Sequence, residues 1–261
     1  MYLWKYWRES RVTFAVGLGI VGLLLWSMLK MHVGYPGPAT AYSENGVALN
    51  TAQSIPPQMY LIITSILTLP LGFLALRFGS FGVGRDLGEG SGGFLFSRPR
   101  TRAFFVWSDW GYGMAQLLLL VLAANAVLAF GFHRVAPDSG PVLIAGQPFS
   151  MFSIFCLHCV TGLLLTGLLF GLTYFTSVLV KSRGVLLTIG VVVGYSIGKS
   201  VVKHYWPDVT LPDITLTELS SSRFGIAGFA DHLGLDIALR TALMMAFPIA
   251  AQFLLQQRDA D

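Results

Sequence analysis

The sequence predicts an all-α integral membrane protein with six transmembrane helices, cytoplasmic N- and C-termini and a short N-terminal interfacial helix. Three observations carry this reading. Of 261 residues, 54% are hydrophobic and only 11% are charged, whereas a soluble domain is roughly 25% charged. The mean hydropathy is +0.66. The apolar residues also fall in runs of about 20, the length a helix needs to cross a bilayer. Together these exclude a disordered chain, a coiled coil and a typical soluble enzyme.

The six spans fall over 12–31, 57–78, 104–132, 150–180, 184–203 and 236–256, in a single transmembrane domain covering 1–261. The first follows Tyr2–Arg11, which mixes Trp4, Tyr6 and Trp7 with Lys5, Arg8 and Arg11. Aromatic residues favour the headgroup layer and cations favour anionic lipid. That stretch reads either as an interfacial helix, separate from the span, or as its simple anchor. A cleaved signal peptide is the rival reading, with Ala39-Thr40-Ala41 as its cleavage site. The apolar run, of about 18 residues, exceeds an h-region of 7–15 and ends well before that site, so the span is expected to be retained. The third and fourth spans are longer than a membrane needs and are expected to tilt or protrude.

Charge sets the orientation. With the N-terminus inside, the inner segments hold Lys5, Arg8, Arg11, Arg77, Arg85, Arg98, Arg100, Arg102, Lys181, Arg183 and Arg258. The outer segments and span ends hold Lys30, Arg134, Lys199, Lys203, Arg223 and Arg240. Eleven against six favours cytoplasmic termini. The same placement explains the pI near 9.2 without nucleic acid. The outer loop 32–56 has four prolines, Pro36, Pro38, Pro56 and Pro57, and is expected to be irregular. In the outer loop 204–235, Phe224–Leu235 could form a short amphipathic helix.

Several patterns resemble chemistry they do not support. Gly198-Lys199-Ser200 looks like the end of a phosphate-binding loop, but the motif requires a glycine at position 193, which is Val193. The chain is therefore not expected to hydrolyse ATP by itself. Cys156, His158 and Cys159 lack a second ligand cluster to close a zinc site. His158 keeps attention because ionisable groups inside a membrane are functional suspects. Gly190, Gly194 and Gly198 recur every four residues on one helix face, and Gly167 and Gly171 repeat the spacing. Such faces let helices approach closely, within the chain or at a subunit seam. Acid and base residues are too sparse in the spans to suggest a catalytic set, an ion-coupled carrier or a proton relay. No catalytic residue and no metal is assigned.

The inner loop 79–103 is the informative segment. Arg85, Asp86 and Glu89 precede a glycine-rich stretch and an apolar triplet, Phe94-Leu95-Phe96. Then comes Ser97-Arg98-Pro99-Arg100-Thr101-Arg102, leading straight into the third span. Arginines can simply enforce topology. An apolar patch on a cytoplasmic loop additionally invites a partner protein.

These residues resemble the permease subunit of ABC-2 type transporters. Such permeases often open with an interfacial helix like Trp4–Glu9. They tend to carry an acidic, glycine-rich stretch and then a Leu-Leu-Ser-Arg-Pro-x-Ser-Arg pattern between spans two and three, here Leu95–Arg102. The resemblance covers nearly the whole chain in layout and about thirty residues in motif. It departs where Gly88, Gly90, Gly92 and Gly93 make a long regular helix doubtful.

The resemblance implies an ATP-driven exporter in the plasma membrane, the bacterial inner membrane, with a separate cytoplasmic ATPase subunit and a second permease subunit, identical or related. ATP and Mg²⁺ would be bound by that ATPase, and this chain would need no cofactor. Arg85, Asp86 and Glu89 would make polar contacts to the ATPase. Phe94, Leu95 and Phe96 would be the docking wedge, and Ser97, Arg98 and Pro99 would set the turn into span three. The 181–183 turn is a further candidate contact. Two other classes stay open: a membrane enzyme acting on a lipid-like substrate, and a non-transporting anchor for a soluble complex. Polar residues for a path are few, chiefly Gln116, Asn125 and His158.

Overall fold

The computed structural model describes residues 2–30, 40–42, 48–50, 69–90, 101–135, 142–144, 147–149, 151–206 and 233–257. Seven helices are described in whole or part: α1 (Tyr2–Lys30), α2 (Leu69–Gly79), α3 (Val83–Gly88), α4 (Arg102–Val135), α5 (Met151–Val180), α6 (Gly184–Tyr205) and α7 (Leu233–Gln257). A 3₁₀ turn, Lys181–Arg183, joins α5 to α6. Five of these, α1, α4, α5, α6 and α7, are long and apolar enough to cross a membrane. They coincide with five of the six expected spans. The second expected span is described only over its last part, α2, because 57–68 lie outside the described residues.

Two expectations change, and one element is new. First, α1 is unbroken from Tyr2 to Lys30, so residues 2–11 are not a separate interfacial helix. No proline interrupts this stretch, and Tyr6 and Ser10 are buried, which turns its face inward instead of along the leaflet. Second, the outer loop 32–56 is not wholly irregular. β1 (Thr40–Tyr42) and β2 (Ala48–Asn50) pair antiparallel between the two proline clusters. The new element is a further pair, β3 (Val142–Ile144) and β4 (Gln147–Phe149), between α4 and α5. The stretch 224–232 of the expected amphipathic helix lies outside the described residues.

Helix α5 is the centre of the bundle. Of its apolar window 67% is buried, against 6% for α6. Large apolar side chains on α6, Leu186 and Ile197 among them, stand exposed. In water that would be untenable; a helix apolar all round suits a bilayer. Two apolar clusters form the core. One joins α1, α2, α4 and α5 through Val21, Leu74, Phe78, Leu120 and Phe170. The other joins α3, α4, α5 and α7 through Val83, Phe105, Tyr174, Val178 and Leu255.

Small residues decide where backbones meet. A Cβ on Gly79 of α2 would lie 2.6 Å from the Phe170 carbonyl oxygen and 2.8 Å from Thr173 Cβ on α5. Backbone cannot retreat as a side chain can. Gly79→Ala is therefore expected to destabilise the chain by about 1–3 kcal/mol, the usual range for overpacking. Thermal unfolding in mild detergent checks this, and an unchanged midpoint would refute the contact. Gly167 and Gly171 likewise admit Met244 and Phe247 of α7. Pro248 lies inside α7 and has no amide to bond the Met244 carbonyl one turn back. That carbonyl lies 3.5 Å from the position of a Cβ on Gly171. By contrast, among the described residues nothing lies within 4 Å of such a Cβ on Gly190, Gly194 or Gly198. No described helix packs on their face.

Several polar side chains in the helices bond to nearby backbone carbonyls, as a membrane interior favours. Thr166 and Thr173 donate to the carbonyls of Gly162 and Leu169, each at 2.7 Å. At the α5–α6 corner the Thr176 and Thr188 hydroxyls share a hydrogen bond at 2.7 Å, and each lies 3.0 Å from the Gly184 carbonyl, which accepts from the one whose proton is left.

Candidate functional site

The described part of loop 79–103 does not hang free. It folds into α3, a six-residue helix. The glycines after Leu87 account for its brevity, since each costs about 1 kcal/mol in a helix interior. Three helices of the bundle hold it.

The first contact is to α4. Gly82 adopts φ 75°, a left-handed conformation open to glycine, and turns the chain from α2 into α3. This aims the Val83 amide at Asp109, which accepts it through Oδ2 at 2.8 Å. Asp109 is fully buried. No Cβ could be added at Gly82 without striking that carboxylate. Asp109 thus supplies the cap that α3 lacks from its own N-cap residue.

The second contact is to α1. Asp86 is buried and forms an ion pair and hydrogen bond with Lys5 Nζ. Lys5 also lies 3.8 Å from Glu9, one turn along α1. Around this pair Tyr6 donates to the Phe78 carbonyl at 3.2 Å and meets the Phe81 and Tyr112 rings edge-on. Gln116 Nε2 donates to Ser10 Oγ at 3.0 Å, a further link between α4 and α1.

The third contact is to α5. A Cβ on Gly84 would lie 2.7 Å from Ser177 Cβ, so α3 rests directly on the end of α5. The adjoining turn carries Lys181, with φ 58°, and Arg183, both exposed beside α3.

The outward face of α3 is charged. Arg85 Nε donates to Glu89 Oε1 at 2.6 Å. That bond holds the guanidinium above its ordinary pKa, so Arg85 remains a cation throughout. Arg77 stands nearby with its guanidinium 4.9 Å from the Phe81 ring centre.

The structure therefore separates the three charged residues of the loop. Arg85 and Glu89 face solvent and remain open to a partner, whereas Asp86 points inward as an internal tie. Phe94, Leu95, Phe96, Ser97, Arg98 and Pro99 lie outside the described residues. The end of the bundle that holds α3 also holds the C-terminal end of α7. Arg102 Nη1 donates to the Leu255 carbonyl, and Trp107 Nε1 donates to Gln252 Oε1 at 3.0 Å. Both described chain ends thus lie on one side.

Of the polar residues considered for a path, Gln116 is buried against α1, and Asn125 donates to the Val121 carbonyl of its own helix at 2.9 Å. The His158 side chain lies outside the described residues. Cys156 and Cys159 are free thiols, and the described residues contain no cluster of metal-ligating side chains. The Gly194–Ser200 stretch is regular helix within α6, which a phosphate-binding loop is not.

Sequence reasoning missed Asp109, Gly82 and the partnership of Lys5 with Asp86. One signal was present: Asp109 is an acidic residue inside an apolar span, and such residues are functional suspects.

These observations define the class: a multi-pass membrane protein with one charged end organised around a short, clamped loop helix. No family model, no curated protein and no solved structure matches the chain.

Proposed function

We propose that this chain is the transmembrane permease subunit of an ATP-driven exporter of the ABC-2 type. ATP hydrolysis is carried out by a separate cytoplasmic ATPase subunit, which binds the nucleotide and Mg²⁺. The observation that carries the reading is α3 itself. It is a surface helix held by three membrane helices, with Arg85 and Glu89 facing out, beside the exposed Lys181 and Arg183. It leads into the Phe94–Phe96 triplet and the Ser97-Arg98-Pro99 turn that resemble the family's docking segment. The charge bias favours a cytoplasmic location for this end, and the resemblance implies the bacterial inner membrane.

In this mechanism the ATPase binds at Arg85, Glu89 and the apolar triplet. Closure of its nucleotide sites displaces α3. The bundle responds only to the extent that ATP binds the two arrangements with different affinity. A second permease subunit, the same chain or a related one, completes the path, and the open glycine face of α6 suits its approach. The sparse polar lining suits an apolar or amphipathic cargo.

Affinity purification of the tagged chain from its native membrane in mild detergent tests this. A stoichiometric ATPase is expected to co-purify, and the mass of the complex reads one permease copy or two. The triple change Phe94→Ala, Leu95→Ala, Phe96→Ala is expected to release the ATPase while the chain remains folded. Absence of any ATPase under conditions that preserve other membrane complexes would sink the proposal and favour an enzyme acting on a lipid-like substrate. An ATPase bound without nucleotide-driven substrate movement would favour a membrane anchor.

A further inference from the structure

A loop helix that receives a push must be joined to what it moves. Six residues of helix cannot hold their own shape in isolation. Here α3 is held by contacts of different kinds from three directions: a buried carboxylate on its first amide from α4, an ammonium on its buried Asp86 from α1, and a glycine-flat contact with α5. The contacts from α1 and α4 are also joined behind α3, because Gln116 bonds Ser10 and Tyr6 meets Tyr112.

We infer that Asp109 is a positioning residue that clamps α3 to the start of α4, so that α3 and the first turns of α1 and α4 open and shift as one body. Asp109 acts as an acceptor at a fixed point. Its carboxylate is buried, and the left-handed turn at Gly82 brings the Val83 amide onto it. If the clamp is lost, a displacement of α3 is spent in unwinding its first turn and does not reach α4 directly. The inference rests on the proposed function only for what displaces α3.

Hydrogen exchange on the full chain in lipid nanodiscs, followed segment by segment, tests the clamp. Asp109→Ala is expected to raise exchange over 80–90 about tenfold or more, the loss of one buried charge-assisted hydrogen bond. Exchange over the middle of α5 should hold at the wild-type rate. Asp109→Asn keeps an oxygen in place for the Val83 amide and is expected to restore exchange to within about threefold of wild type. A residue needed merely for folding would loosen α4 and α5 alike and would not be rescued this way. If Asp109→Ala does not fold, Lys5→Gln provides a second reading. It is expected to accelerate exchange in 4–10, 80–90 and 104–110 together. Unchanged exchange over 80–90 in Asp109→Ala, failed rescue by Asn, or loosening of 80–90 alone in Lys5→Gln would each overturn the inference. No ATPase takes part, so failure here leaves the co-purification result standing, and the reverse.

Discussion

Lys5→Ala is expected to lower the stability of the folded chain by about 3 kcal/mol. Removing one partner of a buried ion pair costs about 3–5 kcal/mol, because the other charge stays behind without compensation. Asp86 is that charge, at 1% exposure, while the Lys5 side chain is 33% exposed. Water reaching the Lys5 side places the cost at the lower end of the range. The consequence is a fall in unfolding midpoint of roughly 6–12 °C in detergent, at about 2–4 °C per kcal/mol for a chain of this size. The double change Lys5→Ala with Asp86→Asn should recover much of the loss, since the fully buried charge is then removed and only Glu9, whose side chain is 12% exposed, loses its cation. A double variant no more stable than Lys5→Ala would show that the charge of Asp86 is not the cause. The exposed Arg85–Glu89 pair is the contrast. An i, i+4 pair at the surface contributes only about 0.3–0.5 kcal/mol, so its value lies in what it presents to a partner.

Gly82→Ala is expected to cost a similar amount, from two separate sources. Its φ of 75° and ψ of −139° lie where essentially only glycine sits, and a residue with a Cβ loses about 1–3 kcal/mol there. The new methyl also strikes the Asp109 carboxylate, which can retreat only by giving up the Val83 amide. A buried hydrogen bond to a charged group contributes about 1.5–3 kcal/mol. Gly90 separates the two sources. It has φ 78°, but no described residue lies within 4 Å of a Cβ placed there. Gly90→Ala should show the conformational cost alone, and Gly82→Ala about 3 kcal/mol or more in total. Equal losses in the two variants, measured by chemical or thermal unfolding, would mean that the carboxylate contact contributes nothing.

Much of the fold was legible because a bilayer asks for one simple property. A run of apolar residues is a spanning helix whatever its neighbours are, so α4, α5, α6 and α7 begin and end within a few residues of expectation. The N-terminal boundary was misjudged for a related reason. Lys5, Arg8 and Arg11 look like a polar segment that must lie outside a span. Pairing with Asp86 instead lets Lys5 continue the helix into the packed end of the bundle. The β1–β2 pair was missed because its three-residue strands carry no periodicity that distinguishes them from a loop.

The site divides in the same way. Sequence alone marked 79–103 as the segment to watch, from its charge, its glycines and its apolar triplet. It could not say which way each charge points. Arg85, Asp86 and Glu89 look equivalent in the sequence, yet one is buried and two are exposed. The 3.6-residue period decides this only once the burying face is known. That face is set by Ser177, ninety-three residues after Gly84, and by Lys5, eighty-one residues before Asp86.

What the sequence by itself determined is therefore the solvent of this protein: hydropathy identifies the helices long and apolar enough to cross a membrane, a sum over local composition. Only the tertiary structure decided that α5 is central, that the glycine face of α6 stays open, and that Asp109 and Lys5 grip α3 from two sides. These depend on distances between groups far apart in the chain, which composition and periodicity do not encode.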